Sequence, residues 1–257
     1  MSNESSSPWG RLSLSSLVEE VHVWSAFTDD ARALGATARF ESWLSDDEVE
    51  RYRRFRRAED RELFLYTRAT LRHALSQYAD VEPERWRFVT AHGGRLELDS
   101  PFDALGLRFN VSHTPGLVAC LVSDTVDGGV DVEGVGRASD VSKLAAIVCS
   151  SAEIEEMESL SADAADSRFY ELWTLKEAYV KARGTGLKLP LNRVGFTGGR
   201  HAPITVTFDS PVEDDSQQWQ FALWRPSPRH QGALALGRGA RPDREVVFRP
   251  ALATVAC

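Results

Sequence analysis

The stretch FYELWTLKEAYVKARGTGLKLPL, Phe169 to Leu191, constrains the chain more than any other. Leu172, Leu175, Tyr179 and Ala182 recur at spacings of three, four and three, which aligns them as one apolar stripe of a helix. Trp173, Glu177 and Lys181 recur every fourth position and, at about 100° per residue, fall on the face opposite that stripe. Gly184 predicts the C-cap, and Gly186 and Pro190 mark chain that no longer continues the helix. One face must therefore be packed while the other presents a carboxylate and an ammonium one turn apart. Such a pair on a solvated helix is ordinarily worth only about 0.2–0.5 kcal/mol. Lysine usage sets this one apart. Of 30 Lys+Arg residues only Lys143, Lys176, Lys181 and Lys188 are lysine, and the last three all lie in this stretch. A compact, mobile ammonium suits a phosphate that shifts during a reaction better than the planar guanidinium fork does.

At 257 residues the chain can bury one sizeable core or two modest ones. A formal net charge of −8, with a sequence pI near 5.3, argues against a nucleic-acid binder. Cys120, Cys149 and Cys257 have neither CxxC spacing nor a histidine partner motif, so neither a disulfide framework nor a zinc site is expected. The start, MSNESSSPWG, lacks the apolar core of a signal peptide. The longest wholly apolar run, Leu117–Val122, is far too short to span a bilayer. The expectation is a cytoplasmic protein with no membrane partner.

Residues 1–16, rich in serine, are expected to be a flexible tail, followed by an N-terminal half over 17–125 and a C-terminal half over 126–257. In the first half, VHVWSAF (Val21–Phe27) alternates as a strand does, and Ala31–Leu44 is a candidate helix. Ser45, followed by acids, caps a helix over Asp46–Arg56, and a second helix runs from Glu59 to Gln77. Trp86–Thr90 is a strand, AHGG (Ala91–Gly94) a turn, and Ser112–His113–Thr114 a polar corner before the strand Val118–Val122. In the second half, Asp140–Ser150 is amphipathic and helical, Ser151–Leu160 a short acidic helix. Ile204–Phe208, Gln220–Trp224, Ala233–Leu236 and, more weakly, Glu245–Phe248 read as strands.

Three sparse features fit one chemistry. Asp131 and Glu133 alternate with Val130 and Val132, so in a strand the two carboxylates share a face with Cα atoms about 7 Å apart. Acids are poor strand formers, and Gly128, Gly129 and Gly134 let another group come close. With Glu177 they supply three hard oxygen ligands for Mg²⁺ or Mn²⁺, a substrate phosphate completing the shell. The arginines of RYRRFRR (Arg51, Arg53, Arg54, Arg56, Arg57) and Arg61, concentrated in an acidic chain, are either a salt-bridged solvated face or an anion site. Arg95 and His113 could hold further phosphates, and Lys181 could neutralise charge beside the metal. No G-x-x-x-x-G-K-[ST] occurs, which excludes P-loop chemistry.

In this order and spacing, FNVSHT (Phe109–Thr114), GVDVE (Gly129–Glu133) and FYELWTLKEAYVKARGTGL (Phe169–Leu187) resemble the 4′-phosphopantetheinyl transferases of the surfactin-synthetase-activating type. The resemblance extends to RRFRRAEDRELFLYTRATLR and SSAE (Ser150–Glu153), covering most of residues 45–191. It implies an α/β fold, a pseudo-dimer of two similar α/β halves with coenzyme A between them. It implies transfer of the phosphopantetheine arm of coenzyme A to a serine of an apo acyl or peptidyl carrier protein by a monomeric enzyme. Carried over by motif, Asp131, Glu133 and Glu177 hold Mg²⁺, and Lys181 meets the pyrophosphate. Ser112 and His113 meet the 3′-phosphate side, while Arg54, Arg61 and Arg95 bind coenzyme A phosphates. Glu177 and Lys181 are the catalytic pair, with Glu177 or Glu153 the candidate base. Arg95 stands where the family often has a lysine followed by proline, here replaced by Leu96, and Thr114 replaces a serine. The rival expectations are a non-catalytic coenzyme A-binding module and an unrelated Mg²⁺-dependent phosphohydrolase. On the helix after GVDVE, Val141, Leu144 and Val148 form a stripe that is either core or a carrier-docking ledge edged by Lys143.

Overall fold

A computed structural model describes residues 12–252, apart from 92–93, 137–140, 185, 187–188 and 240. The chain is mixed α/β, built as two sheets stacked between two long helices. β1 (Glu20–Phe27), β4 (Leu107–Thr114), β5 (Leu117–Asp124) and β11 (Glu245–Pro250) form the first sheet in the order β11-β1-β5-β4. β6 (Gly128–Gly134), β9 (Trp219–Ser227) and β10 (His230–Gly237) form the second in the order β6-β10-β9. The C-terminal strand β11 thus returns to pair parallel with β1, while every other pairing in these sheets is antiparallel.

The period of two along each strand explains the layering. In β5, Val118, Cys120 and Val122 face one core; Leu117, Ala119 and Leu121 face another. The first core lies under α4 (Ala58–Ser76), which brings Leu65, Leu71 and Leu75 to it. The second is shared with Val130 and Val132 of β6 and Leu234 and Leu236 of β10, so it lies between the sheets. β5 is buried on both faces, which is why its sequence is an unbroken apolar run. Each such side chain taken from water contributes about 1.5–3 kcal/mol before entropy is counted.

On the far side of the second sheet lies α7 (Ala162–Arg183), where Leu172, Leu175, Tyr179 and Ala182 are all buried as the sequence predicts. Gly184 adopts φ 63° and closes the helix as the left-handed C-cap. The helix begins seven residues before Phe169, with Ser161 as its N-cap. α7 lies close on β6 because of Gly129: a Cβ there would come within 2.0 Å of the Ala178 carbonyl oxygen. Only glycine permits that approach, and it sets Lys181 beside Asp131.

Several expectations are corrected. The helix over 31–44 is two short ones, α1 (Thr28–Ala33) and α2 (Thr37–Ser42), divided at Gly35 with φ +64°. The Ser112–His113–Thr114 corner does not exist. All three continue β4, and the turn comes at Pro115–Gly116, where Gly116 has φ 94°. The remaining helices are α3 (Asp46–Arg54), α5 (Val141–Val148) and α6 (Ser151–Glu158). Ser45 caps α3 in a reciprocal box with Glu48, as its position predicts. Two hairpins complete the fold, β2 (Phe88–Thr90) with β3 (Leu96–Leu98) and β7 (Val194–Gly199) with β8 (Ala202–Phe208); β3 and β7 were not legible in the sequence. The expected turn over 91–94 and the expected helix start at Asp140 include residues outside those described, as do Lys188 and most of the N-terminal tail. Cys120 and Cys149 are buried and free. Among the described residues no helix is long and apolar enough to cross a membrane.

Candidate active site

A cavity of about 580 Å³ opens beside β4, walled by α3 and α4 on one side and by the C-terminal half of α7 on the other. The strand period sorts β4: Phe109, Val111 and His113 face the cavity side, and Ser112 and Thr114 face β6. From α7 come Glu177, Val180 and Lys181, one helical turn apart along the wall.

At the α7 end lies an acid–lysine cluster. Lys181 Nζ donates to Asp131 Oδ1 at 2.6 Å, to Ser112 Oγ at 2.9 Å and to the Val130 carbonyl at 3.2 Å. Ser112 Oγ in turn donates to Asp131 Oδ1 at 2.9 Å. Asp131 is 4% exposed, yet its Oδ2 has no hydrogen-bond partner, and neither does the buried Oε1 of Glu177. Burial pushes the Glu177 carboxyl up, and the charges of Asp131 and Glu133 push it further; Lys181 opposes them without cancelling the effect. The cluster is short of positive charge. Glu133 accepts from the Trp173 indole at 3.3 Å.

Those features test whether a divalent cation fits. Among the described residues no group of three or more His, Cys, Asp or Glu side chains is arranged to hold a metal ion by itself. Mg²⁺ needs none, since it keeps waters and is held by one or two carboxylates plus substrate phosphates. Two orphaned carboxylate oxygens, crowded acids and hard-oxygen chemistry match that demand. The residues present fit the ion.

The opposite wall is cationic. Phe64 of α4 is covered by two guanidiniums, Arg51 and Arg68, each 5.2 Å from its ring centroid. Arg68 also pairs with Glu48 at 3.2 Å, and its pKa is lowered by burial. Arg95 lines the cavity, bonded to Asp127 at 3.2 Å and to the Ala182 carbonyl at 3.4 Å. His113 reaches into the same space. Desolvation lowers its pKa, as do the charges of Lys181, Arg68 and Arg51; Asp131 acts the other way.

The structure does not bring every predicted residue to this cavity. Arg54 is exposed and pairs with Glu50 at 3.1 Å, while Arg61 turns to the Phe55 carbonyl at 3.1 Å. Neither lines the cavity; from those two helices Arg51 and Arg68 do. Sequence reading passed over Arg68, although a guanidinium inside the apolar run LFLYTRATL is costly to bury unless something needs it there. Ser112 lies in the Asp131–Lys181 pair instead of facing the cavity. Lys176, expected near phosphate by the clustering of lysines, is wholly buried elsewhere, paired with Glu153 at 2.8 Å and bonded to the Leu191 and Val194 carbonyls. Glu153 is fully engaged as well. It accepts from the Ser150 and Phe196 amides at 2.7 and 2.8 Å, which removes it as a candidate base. On α5 the predicted stripe divides. Val148 is core, Val141 packs against that core, and Leu144 is 38% exposed beside an unforeseen Ile147 at 69%.

A cavity with a guanidinium wall facing an acid–lysine cluster is built to handle a polyphosphate. Residues 128–235 match the 4′-phosphopantetheinyl transferase superfamily. The chain is 36% identical over 178 residues to the 4′-phosphopantetheinyl transferase HetI of Nostoc sp. (strain PCC 7120), covering 68% of this chain and 73% of that protein. It is 28% identical over 222 residues to the 4′-phosphopantetheinyl transferase Sfp of Bacillus subtilis (strain 168), covering 86% and 93%. The chain belongs to this family and is a phosphopantetheinyl transferase.

Proposed function

We propose that the protein, a cytoplasmic monomer, takes the 4′-phosphopantetheine arm from coenzyme A and joins it to a serine hydroxyl of an apo acyl or peptidyl carrier protein. Adenosine 3′,5′-bisphosphate leaves. The observation that carries this reading is the pair of orphaned oxygens, Asp131 Oδ2 and Glu177 Oε1, beside Lys181 at one end of a cavity whose other end is cationic.

In the reaction the serine Oγ forms a bond to the phosphorus that bears the pantetheine arm, and the bond from that phosphorus to the bridging oxygen breaks. The serine proton must leave, and negative charge gathers on the departing phosphate. Lys181 stands where it can meet that charge. Glu177, one of whose carboxylate oxygens is unpaired, is suited to take the proton from the hydroxyl. Arg51, Arg68, Arg95 and His113, which line the cavity, hold the adenosine phosphates and orient the pyrophosphate. Asp131, Glu133 and Glu177 would hold Mg²⁺ or Mn²⁺, which supplies Lewis-acid charge to the pyrophosphate oxygens when bound.

The carrier reading rests on α5. Leu144 and Ile147 are apolar and exposed on the helix that follows β6. A chain of net charge −8 is steered poorly toward an acidic partner, so an apolar contact is the better basis for docking.

The test is to incubate the protein with coenzyme A, Mg²⁺ and a panel of apo carrier domains and to follow carrier mass. A gain of one phosphopantetheine on at least one carrier is expected. Coenzyme A consumed at the same rate without any carrier would instead identify a phosphohydrolase, and coenzyme A bound but never turned over a binding module.

A further inference from the structure

From Arg168 to Ala182 every residue of α7 is buried except three, Trp173, Glu177 and Lys181. They recur every fourth position and so form a single row on the helix. β6 is buried throughout except at Glu133. The open row of the helix meets the acids of the strand. Lys181 Nζ donates to Asp131 Oδ1 at 2.6 Å, and the Trp173 indole Nε1 donates to Glu133 Oε1 at 3.3 Å. The helix therefore runs against the strand, with one donor for each acid. Trp173 and Lys181 are separated by about 12 Å of helix, while the two acids stand about 7 Å apart along β6. The donors' side chains close that difference, and Glu177 lies between them.

The two donors differ in charge. Lys181 brings an ammonium to Asp131, whereas the indole brings a hydrogen bond and no charge. A cation at position 173 would neutralise Glu133, and an apolar residue would leave its carboxylate without that tether to α7. The ring itself is held. Trp173 stacks on Phe169, one turn earlier, with centroids 6.2 Å apart and planes 24° from parallel, and Phe169 is 1% exposed. A half-buried indole ordinarily finds some acceptor, and any carbonyl would meet that need. Here the acceptor is the carboxylate of the one open residue of β6, grouped with two other acids. Trp173 is not among the described residues of the cavity wall, so its part in the reaction passes through Glu133.

We propose that Trp173 is a positioning residue whose indole holds the Glu133 carboxylate against the α7 row that carries Glu177. Because the donor is neutral, the full negative charge of Glu133 is kept for the divalent cation. The assignment deepens the transferase reading above and rests on it for the meaning of the acid cluster, but its test needs no carrier.

Trp173→Phe removes the N–H and keeps a ring against Phe169. Groups that orient a metal ligand are commonly worth 10–100-fold in affinity, so the variant saturated with coenzyme A should bind Mg²⁺ about tenfold more weakly by calorimetry, with metal-free coenzyme A affinity changed by less than about threefold. In a Glu133→Ala background, where no carboxylate is left to hold, adding Trp173→Phe should change Mg²⁺ affinity by less than about twofold. Two results would overturn the assignment: a folded Trp173→Phe protein with unchanged Mg²⁺ affinity, or a loss of equal size in both backgrounds, which would mark the ring as packing only. A second measurement uses the unaltered protein and decides even if the variant does not fold. By NMR the Trp173 indole N–H should exchange slowly with solvent, and no faster once coenzyme A and Mg²⁺ are bound. Faster exchange in the complex would mean that Glu133 leaves the indole to reach the ion, and the assignment would fail. A wild-type complex that takes up no Mg²⁺ would remove the ion and this assignment together. A wild type that binds both ligands yet modifies no carrier would count against the transferase reading alone.

Discussion

Two lysine–carboxylate pairs sit on α7, five residues apart, and they have opposite characters. Lys176 and Glu153 are 0% and 2% exposed, and both carboxylate oxygens accept from an amide or the ammonium. The side chains of Lys181 and Asp131 are 27% and 5% exposed, and the carboxylate keeps one oxygen unpartnered. The first pair ties α7 to α6 and to the start of β7, where its neighbours Leu191 and Val194 lend carbonyls. The second lies at a cavity wall with another orphaned acid, Glu177, alongside. Satisfied buried charge stabilises a fold only if it stays satisfied; unsatisfied buried charge persists only if something else completes it. The contrast separates structural from working groups of identical chemistry.

The sharpest way to break the comparison is to exchange the two acids' fates. Asp131→Asn keeps shape and burial but removes a charge the reaction needs. A Lewis-acid site is worth several kcal/mol in the transition state, so kcat should fall by about a thousandfold. Thermal unfolding should move little, because Lys181 keeps Ser112 and the Val130 carbonyl. A folded Asp131→Asn protein with near-normal carrier modification would dissolve the distinction from the active side. Lys176→Met should do the reverse. It strands a buried carboxylate and two carbonyls, at a cost of about 3–5 kcal/mol, read as a lower midpoint in denaturant. Whatever protein remains folded should retain normal coenzyme A affinity. An unchanged midpoint would show that the buried pair is dispensable.

How much of this was legible follows from range. The stripe of α7, its cap at Gly184 and the alternation of β6 are local periodicities, and the structure keeps them as read. The need for glycine at position 129 was legible as a close approach, though not as the backbone of α7. Partner choice was not legible. Lys176 and Lys181 lie on one helix, and only the arrival of Glu153 from α6 assigns the former to the interior. The arginine run failed for a related reason. Phe55 ends α3 in an extended conformation, so the rotation of α4 relative to α3 is a tertiary fact. That rotation brings Arg51 and Arg68 onto Phe64 and sends Arg54 and Arg61 elsewhere. Ser112–His113–Thr114 reads as a polar corner because its polar residues look like turn chemistry. Their acceptors are taken by the amides of β6, a pairing twenty residues away that the local sequence does not reveal.

The smallest expected effect concerns His113, the one imidazole among the described residues of the cavity wall, and it sharpens the comparison by asking what the cationic end recognises. In the free protein its pKa lies below the usual value, held down by desolvation and by Lys181, Arg68 and Arg51. The ring is therefore neutral at pH 7. A phosphate placed among those cations would cancel their repulsion and raise the pKa in the complex. Binding then takes up a proton between the two pKa values, so affinity is greatest below the free-protein value and declines as pH rises through the value in the complex. One proton can change affinity by at most about tenfold per pH unit, and partial uptake should give a few-fold decline from about pH 5.5 to 7.5, within the usual titration range of histidine. The ligand's own phosphate ionises in the same interval and works in the opposite direction, so the comparison must be made against His113→Gln. Metal-free coenzyme A affinity should show the decline in the wild type and lose it in the variant. The 3′-dephospho compound should lose it in both if the 3′-phosphate is what the ring meets. Parallel pH profiles for wild type and His113→Gln would mean that the imidazole takes no proton from the exchange, and recognition at that end would fall to the three arginines alone.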